Sequence, residues 1–109
     1  MGLGRLPLKQ ILPAFGACKI SEPVALVSGE REGTKTARQY GISEKIIYYF
    51  ESYDALKDNA EVDVIYIVLP NSNHAEFTIR GAKTRKYILC EKPMAGFVKV
   101  FQEMIALCN

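Results

Sequence analysis

Apolar positions along the chain fall into two alternating periods. Leu8, Ile11, Leu12, Phe15 and Cys18 recur at helical spacing, so a helix is predicted there, bent or shortened at Pro13. Val24-Ala25-Leu26-Val27 follows Pro23 as a short continuous apolar run, the signature of a buried parallel strand. Glu30 to Tyr40 is polar and weakly amphipathic, a surface helix that Gly41 is placed to stop. Ile46 to Tyr49 reads as a second strand, and Ser52 as the cap of a short helix from Tyr53 to Asp58. Val62 to Leu69 is the strongest strand signal, closed by Pro70. Ser72 or Asn73 is then expected to cap a helix from about His74 to Thr84. Tyr87 to Glu91 gives a fourth strand. Val98 to Cys108 gives a last helix, with Val98, Phe101, Ile105, Leu107 and Cys108 roughly on one side. Strands and helices alternate at βαβ spacing, which predicts an α/β fold with a parallel sheet and right-handed crossovers.

Composition narrows the function classes. One domain is expected for 109 residues, and hydrophobic (49%) and charged (24%) fractions are ordinary for a globular protein. A net charge of +2, with basic residues scattered, gives no electrostatic footprint for nucleic acid. No run approaches the roughly 18 apolar residues of a membrane span, and the N-terminus has no signal-peptide core. Three cysteines without metal-like spacing point to reduced thiols, a cytoplasmic location and no metal site.

Candidate chemistry sits at strand ends. Gly2-Leu3-Gly4-Arg5-Leu6-Pro7 is an incomplete G-x-G-x-x-G, in which glycines make a tight turn and let backbone approach a pyrophosphate at a helix N-terminus. Ser28 stands where a dinucleotide fold that reads a bare ribose carries Asp or Glu. With Arg31 and Lys35 it could hold a 2′-phosphate instead. Pro70, Asn71, Asn73 and His74 follow the strongest strand and can line a crevice there. A lone histidine beginning a helix is more often structural than catalytic. Cys90-Glu91-Lys92-Pro93 ends the fourth strand. A lysine at the carboxyl edge of a parallel sheet can donate to a nicotinamide carboxamide or a substrate oxygen.

Taken together, Gly2-Leu3-Gly4, Ile11 to Phe15, Val24 to Gly29, Val62 to Ser72, His74-Ala75-Glu76 and Cys90 to Pro93 resemble the N-terminal Rossmann domain of the Gfo/Idh/MocA oxidoreductases. The resemblance covers residues 1 to about 95 and is nearest the glucose–fructose oxidoreductase branch. It implies NADP or NAD as cofactor, Lys92 beside the nicotinamide and substrate, and Glu91 next to it. It also implies Gly2, Gly4 and Arg5 at the phosphates, and Ser28, Arg31 and Lys35 at the ribose end. A strand usually precedes the glycine turn, and a large α/β substrate domain usually follows. Neither is recognisable here, so the expected fold is an incomplete Rossmann-like domain, not catalytically complete alone. A sugar substrate is expected only for a complete enzyme. The alternative is a non-catalytic interaction module that has lost its cofactor. In either case an open sheet and an apolar C-terminal segment predict a homo-oligomer, most simply a dimer.

Overall fold

The structure is a computed structural model that describes the backbone of residues 1–109 and all side chains except those of Glu30, Arg31, Glu32 and Glu44. It divides into two compact units, Met1–Tyr53 and Asp54–Asn109. Each unit holds a two-stranded parallel sheet.

In the first unit, Gly2 turns the chain at φ +86°, a conformation that costs a residue with a Cβ roughly 1–2 kcal/mol. Its N–H donates to the Val27 carbonyl at 2.9 Å, which ties the turn to the end of β1 (Leu26–Val27). A helical stretch, α1 (7–17), follows as a π turn at Pro7–Ile11, an α turn at Leu12–Ala14 and a 3₁₀ turn at Phe15–Ala17. Pro13 therefore does not break the helix. The chain widens ahead of it, with Leu12 N–H reaching back to the Pro7 carbonyl. That loosens the ladder where the proline ring and its missing N–H would conflict with a regular α turn. β1 pairs in parallel with β2 (Ile47–Tyr48), Leu26 beside Ile47 and Val27 beside Tyr48. Both strands are shorter than the apolar runs that predict them. Between them lies α2 (Glu30–Gln39), ended by Gly41 at φ +69° as expected. Leu3, Leu12, Leu26, Ala37 and Ile42 form the buried core, with Leu8, Phe15, Tyr40, Ile46 and Ile47 packed against it.

A 3₁₀ turn at Tyr53–Asp58, which the sequence read as a short helix, begins at the last residue of the first unit and continues into the second. β3 (Val64–Ile67) and β4 (Tyr87–Cys90) then pair in parallel, from Val64 beside Tyr87 to Ile67 beside Cys90. α3 (Asn71–Ala82) crosses between them. It begins three residues earlier than predicted. Ser72 and Asn73 lie inside its first turn, and Pro70 occupies the cap position with no side-chain cap bond. Pro70 suits that place because its ring fixes an extended turn into the helix. α4 (Val98–Cys108) packs on α3 through Met104, which is fully buried. Val98, Phe101, Ile105 and Leu107 on the same helix stay exposed.

Candidate functional site

In the first unit the glycine turn and the end of β1 are brought together by the Gly2–Val27 bond. Gly4 begins the turn into α1, and nothing lies within 4 Å of where a Cβ at Gly4 would be. Open space over a glycine at a helix N-terminus is the arrangement a phosphate needs, because backbone N–H groups there have no intrahelical partner. Arg5 is exposed beside it, and Lys35 is exposed on α2. The Arg31 side chain lies outside the described residues.

Ser28 departs from the expected role. It is 1% exposed, and its hydroxyl donates to the Gly29 carbonyl at 2.9 Å. Its N–H continues the ladder to the Tyr48 carbonyl at 3.1 Å. The side chain faces inward, so position 28 offers small size at the strand end rather than a hydroxyl to a ligand. Gly33, which sequence reasoning passed over, explains the need. An ideal Cβ on Gly33 would stand 2.9 Å from both Ser28 Oγ and Ile47 Cγ2. The helix α2 thus approaches β1 and β2 as closely as a glycine allows. A G-E-R-E-G run after a strand was the available signal.

In the second unit, parallel pairing puts the carboxyl ends of β3 and β4 at one edge. Glu91 N–H gives the last ladder bond, to the Ile67 carbonyl at 3.0 Å. Lys92 comes next, exposed, and is joined to Pro93 by a cis peptide bond. Glu91 accepts a hydrogen bond from the Tyr66 hydroxyl on β3, and this bond is the main cause that pushes the Tyr66 phenol up to about 12. Burial of the Cys90 thiol raises it above the ordinary thiol range, which makes it an inert strand residue rather than a nucleophile.

His74 takes the structural role usual for a lone histidine at a helix start and does not line the crevice. It is 1% exposed, and both ring nitrogens face backbone carbonyls, Nδ1 to Pro93 at 2.6 Å and Nε2 to Leu69 at 2.7 Å. The ring is committed to the protein and offers nothing to a ligand. Asn71 and Pro70 are exposed at the same edge, and Asn73 is half-buried with Oδ1 accepting from the Ser72 hydroxyl. A cleft of about 390 Å³ lined by Arg85, Lys86, Tyr87 and Leu107 opens at the opposite, amino end of β4. Among the described residues no group of His, Cys, Asp and Glu could hold a metal ion.

A family model described as the Gfo/Idh/MocA oxidoreductase family, with an NAD-binding Rossmann fold, matches residues 1–109. The chain belongs to that family. Among solved structures it is similar to the aldose-aldose oxidoreductase from Caulobacter crescentus, complexed with glycerol. That match has 45% identity and a TM-score of 0.94, over 99% of this chain and 32% of that one. A 3-ketoreductase from Actinomadura kijaniata, solved with NADP and TDP-benzene, is 25% identical with a TM-score of 0.80, over 96% of this chain and 31% of that one. The NADP(+)-dependent D-xylose 1-dehydrogenase of Haloarcula marismortui is 34% identical over all of this chain and 30% of its own length. The chain therefore spans about a third of the Gfo/Idh/MocA relatives it matches, the part that carries the NAD-binding domain. No helix among the described residues is long and apolar enough to cross a membrane.

Proposed function

We propose that this chain is the cofactor-binding part of a Gfo/Idh/MocA-type oxidoreductase that acts on a sugar or polyol and prefers NADP(H). The observation that carries the reading is the shared edge of β3 and β4. The last ladder bond, Glu91 to Ile67, delivers Lys92 there with its ammonium in solvent. The residues fit the cofactor. In the first unit, the open backbone over Gly4, with Gly2 and Arg5, suits a pyrophosphate. Lys35 and Arg31 supply cations for a 2′-phosphate, and position 28 itself carries no acid.

In the second unit, Lys92 donates to the nicotinamide carboxamide or to a substrate oxygen, where a fixed positive charge stabilises developing negative charge. Tyr66 holds Glu91 so that its carboxylate does not wander onto that lysine. Pro70, Asn71 and Asn73 line the same edge. When bound, a nicotinamide gives or takes the hydride. The sugar class follows from the names of the relatives, and its contacts are assigned to the rest of the family fold. Three free cysteines suit the cytoplasm, and the exposed apolar residues suit a homodimer.

Calorimetric titration of both cofactors tests this reading. NADP(H) should bind more tightly than NAD(H), with the preference reduced in Arg31→Ala and Lys35→Ala. Lys92→Ala should weaken both cofactors alike. Equal affinities, or tighter NAD(H), would remove the 2′-phosphate site.

A further inference from the structure

His74 is the only histidine in the chain, and its two nitrogens face two carbonyl oxygens at 2.6 and 2.7 Å. A carbonyl oxygen only accepts. A neutral imidazole has one N–H and one lone pair, so it can satisfy one of these oxygens and must turn its lone pair against the other. A ring with hydrogens on both nitrogens makes both bonds. We propose that His74 donates from both ring nitrogens, as an imidazolium, and that this two-ended clamp is what positions Lys92.

Three features support the clamp. Both contacts are short, as hydrogen bonds from a charged donor are. Among the described residues no carboxylate pairs with the ring, so the two carbonyl dipoles serve as its counter-charge. The ring lies in the first turn of α3, where the helix dipole disfavours a cation. That opposition falls off within the turn. Burial of the charge is the larger cost, and the two short carbonyl contacts must offset it.

The geometry gives the clamp its purpose. Leu69 lies just past β3 and Pro93 just past β4, so one ring joins two strand ends to the start of α3. Lys92 is held on both sides. Before it, Glu91 N–H bonds the Ile67 carbonyl; after it, the Pro93 carbonyl bonds His74. The side chain of Lys92 is free in solvent, so these two backbone anchors decide where its ammonium can reach. The positioning role rests on the reading of Lys92 as a cofactor contact; the donor assignment does not.

Nitrogen-15 NMR of the whole chain reads the ring directly, because there is a single histidine to assign. Near neutral pH both ring nitrogens should carry a bonded hydrogen. One proton-bearing and one bare nitrogen would overturn the imidazolium. His74→Phe keeps the ring and removes both donors, and His74→Gln keeps one. Amide exchange at Glu91 should quicken about tenfold in the Phe variant and less in the Gln variant, with NADP(H) affinity falling in the same order. Unchanged exchange and affinity in the Phe variant would overturn the positioning role. Should the Phe variant not fold, the Gln variant decides on the same two readouts. If the unmodified chain binds no dinucleotide, the cofactor reading of Lys92 fails, while the ring nitrogens and Glu91 exchange still decide the clamp.

Discussion

An alanine at position 33 would place its Cβ 2.9 Å from Ile47 Cγ2 and from Ser28 Oγ. Ser28 can rotate away, but Ile47 is β-branched and stiff. Gly→Ala inside a helix gains about 1 kcal/mol of propensity, whereas overpacking a tight contact costs about 1–3 kcal/mol. Gly33→Ala should therefore lower stability by about 1 kcal/mol on urea unfolding, and a gain would mean that α2 shifts freely. Tyr66 carries a pH prediction. Its phenol is raised from 10 to about 12, first by the bond to Glu91 and then by burial and the Glu91 charge. The folded state thus favours the neutral phenol. That contribution is complete below pH 10 and fades as pH rises toward about 12. In Tyr66→Phe the tyrosinate that forms near pH 12 should vanish from the titration, and this part of the alkaline loss of stability with it. An unchanged titration curve would refute the pairing. At this scale the sequence was partly legible. Lys92 and Gly4 stand exposed where the motifs place them. The inward turn of Ser28 and the exact place of the structural His74 were not legible because their partners are carbonyls of Gly29, Leu69 and Pro93, and every residue type has a carbonyl.

Strand and helix order was readable because hydrophobic period depends on local geometry alone. Element ends were not, because they depend on which backbone groups find partners. β1 shrinks to two residues although Val24 and Ala25 are equally apolar, and α3 starts at Asn71 because Pro70, not Ser72 or Asn73, makes the turn. Two helix ends make the point testable. Gly41 follows α2 at φ +69°, and Arg85 follows α3 at φ 60°. Both are left-handed, where a Cβ costs roughly 1–2 kcal/mol. Only the glycine could be read as a stop. Gly41→Ala should lose about 1 kcal/mol, and Arg85→Gly should gain up to about 1 kcal/mol after the extra entropy of an unfolded glycine is subtracted. Thermal unfolding of the two variants should move in opposite directions. A fall in both would show that Arg85 makes a contact worth more than its backbone strain.

For the whole molecule, the alternation of elements and the paired L-P-N-x-x-H and E-K-P motifs sufficed for the family, and the match over residues 1–109 agrees. What patterning could not convey is which apolar positions remain uncovered. In the β3–β4 sheet, Ile65 and Ile67 are buried, while Val64, Tyr87 and Leu89 are 52%, 80% and 55% exposed. Parallel sheets normally have both faces covered, and this face is open among the described residues. α4 repeats the pattern, with Met104 buried and Val98, Phe101 and Ile105 exposed at helical spacing. The sequence read Val98, Phe101 and Ile105 as one apolar side of this helix, with no sign that Met104 is the residue that packs. Each large apolar side chain moved from water to an interface is worth about 1.5–3 kcal/mol, and a handful of them outweighs the cost of association. The chain should therefore self-associate, with light scattering at low micromolar concentration giving about twice the 12.2 kDa chain mass. Phe101→Glu and Leu89→Lys each place a charge on one of the two faces without touching a buried residue. Whichever face is the contact, its variant should return the chain to monomer with little change in melting temperature. A monomeric unmodified chain would refute the argument from exposed apolar surface, and a dimer indifferent to both variants would place the contact elsewhere.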